Sequence, residues 1–299
     1  MEQGKYFIDD NGNCTIPEGV TIIEDSAFKG CTSLKSIDIP YTVEAIGARA
    51  FYGCTSLKSI HIPGSVTEIG EAAFEGCSSL ESTNIPHVTK IPIDAFRNCT
   101  SLKSIHIPEE VSEIRMEAFA RCSSLESVYI SDGVRDIEVG AFIDCKSLKS
   151  VVFPLSIEEI GLAAFSNCTS LKKVIIPCGY IDGSFCGCTS LEEVYIGSLR
   201  MNSASFTFCP SLKSVYLYTY IPKDAHIRPG TFDRNVEDHG TLYVPANCIQ
   251  ACREHRELGR FKNIEIEDPK KIGEFYKQYR AAMRKSSFID DDIINLFDF

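Results

Sequence analysis

Fourteen cysteines and six histidines are the side chains with the widest chemical range in this 299-residue chain. Thiolates act as nucleophiles or metal ligands, thiol pairs form disulfides, and imidazoles bind metals or move protons. Spacing decides among these uses. Cys31, Cys54, Cys77, Cys99, Cys122, Cys145, Cys168, Cys188 and Cys209 recur at steps of 20 to 23 residues, which matches neither a metal knuckle nor a disulfide framework. If successive units stack like strands, about 4.8 Å apart, parallel side-chain vectors hold their Cβ atoms near that separation, beyond the disulfide mean of about 3.8 Å. Small buried thiols are expected instead. Cys186 and Cys188 form the one close pair that breaks the ladder, and no second pair stands nearby to complete a zinc site.

The same register argument removes the other candidates. His61 and His106 fall two units apart with Asn84 between them, so their strands would stand roughly 9.6 Å from each other, too far for one metal ion. Ser59 and Ser104 recur as Ser36, Ser82, Ser127, Ser150 and Ser214, which marks them as parts of the repeat. The glycines form neither a GxGxxG nor a P-loop arrangement. No catalytic residue, cofactor or metal is expected, and the chain reads as a non-enzyme.

What must position these residues is the repeat. From Ile39 the unit IPYTVEAIGARAFYGCTSLKSIH recurs as IPGSVTEIGEAAFEGCSSLESTN, IPEEVSEIRMEAFARCSSLESVY and FPLSIEEIGLAAFSNCTSLKKVI. Phenylalanines at 28, 51, 74, 96, 119, 142, 165, 185 and 206 and leucines at 34, 57, 80, 102, 125, 148, 171, 191 and 212 keep step with the cysteines. A period this short allows one turn of chain per unit, and no turn buries its apolar side alone, so stacking is obligatory. Within a unit, alternation puts Ile60 and Ile62 inward and His61 outward on a strand that Pro63 closes. Val66 to Ile69 reads as a second extended segment, and Gly70 to Phe74 as a tight return or helical turn with Phe74 inside.

The order IP, V-x-x-I, AF-x-x-C, SLK resembles the BspA-like leucine-rich repeat family over roughly residues 14–221. The resemblance implies an α/β solenoid: a leucine-rich repeat stack of about nine 20–23-residue units with a parallel sheet on one face, capped ends and a C-terminal helix. It also implies surface adhesion or protein recognition, often in secreted or surface-attached proteins of anaerobic microbes and protozoa, without catalytic residues. The pattern weakens where the proline is lost at Ser131, Gly197 and Tyr218 and where the unit containing Tyr180 is shortened.

Residues 1–13 are expected to cap the front with a hairpin around Asn11 and Gly12, and 222–267, a degenerate repeat ending in strand, helix and strand, to cap the back. Beyond these caps, residues 268–299 read as an amphipathic helix and an acidic, apolar tail. Asp268 and Pro269 mark the helix start, and Ile272, Phe275, Tyr276, Tyr279 and Met283 share a face that packs back on the solenoid or takes a partner.

Function is argued from the outward strand position, which runs Asp38, His61, Asn84, His106, Tyr129, Val152, Ile175, Tyr195 and Tyr216. The first four are polar and the last five apolar or aromatic. Tyr129, Val152, Ile175, Tyr195 and Tyr216 are therefore the expected partner-binding row, for a protein or for the chain's own helix 269–285, although the same residues also favour strands intrinsically. A net charge of −11 with no run of Lys and Arg that stands out disfavours nucleic acid and anionic lipid. No stretch reaches the roughly 20 apolar residues of a membrane span, and the first residues lack an export signal. As printed the chain reads as cytoplasmic, which suits many free thiols. A secreted or cell-surface adhesin for host protein or glycan is the alternative if a signal has been removed.

Overall fold

The computed structural model describes residues 6–177, 179–197, 200–218, 225–268 and 270. The chain winds as a parallel-strand solenoid of about eleven turns with little helix. Each turn has three sides. One carries the longer strands, such as Ser104–Ile107, Ser127–Ile130, Lys173–Ile176, Glu193–Ile196, Ser214–Leu217 and Thr241–Val244. These belong to parallel sheets of two, two and eight strands. A second side carries two-residue strands such as Glu113–Ile114 and Glu159–Ile160, in sheets of three and seven.

The third side, expected as a tight return or helical turn, is an alternating turn that bonds to the next coil. Phe51, Phe74, Phe96 and Phe119 each donate a backbone N–H to the carbonyl of Ala73, Ala95, Ala118 and Ala141 at 2.7 to 2.8 Å. The alternation needs two left-handed residues per coil. One lies two residues before the phenylalanine, as in Ala72 (φ 54°) and Glu117 (φ 53°); the other lies just before the cysteine, as in Gly53 (φ 69°) and Arg121 (φ 61°). Glycine meets this requirement without strain in the early coils, whereas Asn98, Arg121, Asp144 and Asn167 meet it later at a cost.

The core is a column. Tyr6, the nine periodic phenylalanines and Phe232 stack ring on ring, with centroids 5.0 to 5.4 Å apart and planes within 16° of parallel. Phe261 closes the column edge-on at 5.3 Å. Tyr6 comes from the front segment, where Asp9 accepts backbone N–H bonds from Asn11 and Asn13 and Gly12 turns the chain at φ +88°. The back closes through strand Thr241–Val244, helix Ile249–Glu254 and strand Asn263–Ile266. There Arg260 pairs with the buried carboxylates of Glu237 and Glu257 at 2.9 and 3.2 Å. The helix read over 269–285 lies outside the described residues.

Candidate partner-binding face

The cysteine ladder is a hydrogen-bond ladder. From Cys54 to Cys209 each ladder thiol points at the neighbouring coil's backbone: Cys54 donates to the Phe28 carbonyl at 3.1 Å, Cys122 to Phe96 at 3.2 Å and Cys188 to Phe165 at 3.3 Å. The described cysteines are free. Burial pushes the Cys77, Cys122 and Cys209 thiols up to about 12, so at neutral pH they are neutral donors and poor nucleophiles. Cys188 belongs to this ladder, while its neighbour Cys186 is only half-buried. Among the described residues no three His, Cys, Asp or Glu side chains gather as a metal site, and no helix is long and apolar enough to cross a membrane.

The outward row of the longer strands is where the chain departs from chemical monotony. Parallel register sets Tyr129 beside His106, Val152 beside Ile175, Ile175 beside Tyr195, and Tyr195 beside Tyr216. The rings follow: His106 and Tyr129 lie 5.0 Å apart, Tyr195 and Tyr216 stack at 4.4 Å, and Tyr216 stacks on Tyr243 at 4.6 Å. Offset ring pairs of this kind contribute about 0.5–1.5 kcal/mol beyond burial. At the polar end, Asp38 and His61 are exposed. Asn84 is spoken for, its amide exchanging 2.8 Å bonds with the N–H and carbonyl of Ile62 where the sheet is interrupted.

Two features of the row escaped sequence reasoning. Tyr243 and Tyr218 extend the aromatic cluster, with Tyr218 lying 5.8 Å from Tyr195. Tyr243 is legible in the alternation of TLYV but sits beyond an irregular stretch that breaks the period after Tyr216. The other feature is an ion pair on the same face. Lys173 and Glu193 replace the serine that recurs two positions before the outward residue, and their charged groups lie 3.7 Å apart. The Lys173 ammonium sits 4.5 Å over the Tyr195 ring, and the Tyr195 hydroxyl donates to Glu193 Oε2 at 2.8 Å. Desolvation lowers the Lys173 pKa and raises those of Tyr195 and Tyr216. The broken serine ladder was the available signal.

Exposure along the row differs from the simple outward expectation. Tyr129, Val152, Tyr195 and Tyr216 are half-buried, and Ile175 is 2% exposed although both its sequence neighbours, Val174 and Ile176, fill the core. Alternation along a strand gives the side of the sheet a residue faces; it does not say whether that side is open.

Comparison with known proteins agrees with this geometry. The family described as "BspA type Leucine rich repeat region (6 copies)" matches residues 9–126, 84–182 and 112–235. No curated protein matched. Among solved structures, a leucine-rich repeat protein from Eubacterium ventriosum is 30% identical over 52% of this chain, with a TM-score of 0.50; this chain spans 42% of that protein's length. A leucine-rich repeat protein from Bacteroides ovatus is 24% identical, with a TM-score of 0.50, covering 86% of this chain and 84% of the other. A leucine rich cell surface protein from Faecalibacterium prausnitzii is 22% identical, covering 90% and 94%, with a TM-score of 0.49. With three overlapping family matches running from residue 9 to 235 and the coils to go with them, this chain belongs to the BspA-type leucine-rich repeat family.

Proposed function

We propose that the protein is a non-catalytic recognition module that binds another protein on the strand-lined face, through the row Tyr129, Val152, Ile175, Tyr195 and Tyr216. The observation that carries this reading is the tyrosine stack from Tyr195 through Tyr216 to Tyr243, locked by Lys173 and Glu193. Stacked tyrosines offer large, rigid, amphipathic area at small entropic cost, the composition of interface hot spots. The repeat core needs no aromatic ring there. An enzyme reading lacks support from the same residues: the thiols are buried donors, and the serines repeat with the coils. Alanine at Tyr129, Tyr195 and Tyr216 together is expected to weaken capture of the partner at least tenfold, and, since three ring pairs are lost, to lower the melting temperature while keeping the far-UV circular dichroism of the folded chain. Undiminished affinity refutes the assignment.

A further inference from the structure

The tyrosine row does not behave as a sheet face left to water. Strand neighbours shield the flanks of an outward side chain but not its top. Yet Ile175 keeps only 2% of its surface, and Lys173 beside it carries a desolvated ammonium. The described chain ends on the same sheet. Its last described strand, Asn263–Ile266, forms the edge of the same sheet, with Glu265 in register beside Tyr243. Immediately after it, the Asp268 carboxylate accepts the Lys270 N–H at 2.8 Å, the bond of a helix start.

We propose that residues 269–285 lie in cis across this row as an amphipathic helix, occupying the face read above as the recognition surface. Three quantities fit. Seventeen helical residues span about 25 Å, and the five strand steps from Tyr243 back to Tyr129 span about 24 Å. Ile272, Phe275, Tyr276, Tyr279 and Met283 follow i, i+3, i+4, i+7 and i+11, one continuous apolar stripe. The segment carries six Lys and Arg against Glu274 alone, a net +5 in a chain of net −11. Acids border the row at both ends, Glu267 acting on Tyr216 and Glu109 and Glu110 on His106, while Glu193, at mid-row, is already paired with Lys173. The occupant chemistry that fits this face is therefore a basic helix with an aromatic and aliphatic stripe, and an external partner has to displace it. That second consequence rests on the recognition reading; the docking itself does not.

Photo-crosslinking of the full-length chain tests the docking without any partner. With p-benzoylphenylalanine placed at Tyr276, and separately at Tyr279, irradiation at micromolar protein and peptide mass spectrometry should show intrachain links to the strands holding Ile175, Tyr195 or Tyr216. Links to the two-residue strands, links formed only between two chains, or no links from either position overturn the proposal. A full-length Phe275→Glu/Tyr279→Glu variant separates the two readings. If the docked state is about 90% populated, releasing the segment raises partner affinity about tenfold. Correct crosslinks with unchanged capture would uphold the docking and overturn the recognition reading. Increased capture without the crosslinks would do the reverse.

Discussion

Replacing Phe119 with alanine probes what holds the solenoid together. Its ring is fully buried, 5.3 Å from Phe96 on one side and 5.1 Å from Phe142 on the other. Removing a buried phenyl costs about 3–5 kcal/mol through lost transfer energy and the cavity left behind. The upper half of that range applies because both ring partners lose a stacking contact, and the coils, fixed by bonds such as Phe119 N–H to the Ala141 carbonyl at 2.8 Å, cannot close the gap. With a urea m-value of about 3 kcal/mol/M for a chain of this size, a loss of about 4 kcal/mol lowers the midpoint by about 1.3 M. Phe119→Leu keeps most of the volume and is expected to cost under about 1.5 kcal/mol, or about 0.5 M. Urea titration followed by far-UV circular dichroism reads both variants. An alanine midpoint within about 0.3 M of wild type, or equal to that of the leucine variant, would show that the column is not a tightly packed continuous core.

Native protein at pH 8 is expected to resist alkylation at Cys77, Cys122 and Cys209 and to label there only in urea, with mass spectrometry locating the adducts; rapid native labelling contradicts the thiol ladder. Those three thiols stay protonated in the fold up to about 12 against an ordinary value near 9. Above pH 9 the unfolded chain therefore holds fewer protons than the native one. Stability is fully present below pH 9 and is lost toward pH 12, at about 1.4 kcal/mol per pH unit per thiol; a urea midpoint that does not fall between pH 8.5 and 10.5 rules this out. Arg121→Gly relieves a left-handed residue whose contact with Asp144 is a loose 4.0 Å surface pair and should raise stability by about 0.5–1 kcal/mol; a lowered midpoint refutes the strain argument. Arg260→Met leaves the buried Glu237 carboxylate without its cation and Glu257 with only the longer 3.6 Å pair to Arg256, and should destabilise the back cap by about 2 kcal/mol, discounted for the half-exposed arginine. Hydrogen exchange confined to faster opening at 234–266 is the expected sign, and unchanged exchange there contradicts it.

The coil period was legible because burial at each turn tolerates little besides phenylalanine, cysteine and leucine at fixed places, so three ladders keep one register. Tyr6 and Phe232 continue the column unseen: Tyr6 keeps a regular 22-residue step but is not a phenylalanine, and Phe232 stands 26 residues from its ring partner, off the period. The left-handed turns were hidden for a similar reason: glycine announces them at 30, 53 and 76, but Arg121 and Asp144 carry the same backbone with ordinary side chains. At the candidate face, alternation identified every member of the tyrosine row up to Tyr216. The burial of Ile175 escaped it because cover is a tertiary property that strand periodicity does not encode.

Affinity measured on the two sheets separately tests the recognition reading most directly. Tyr195→Ala and Tyr216→Ala alter the outward row of the long strands, while Glu113→Ala and Glu159→Ala alter the outward row of the two-residue strands across the solenoid. In the Phe275→Glu/Tyr279→Glu background, where release of the 269–285 segment cannot offset the effect, the reading predicts a loss of at least tenfold in partner affinity, about 1.4 kcal/mol or more, for each tyrosine variant and unchanged affinity for each glutamate variant. Full affinity in both tyrosine variants, or a loss confined to the glutamate variants, would contradict it.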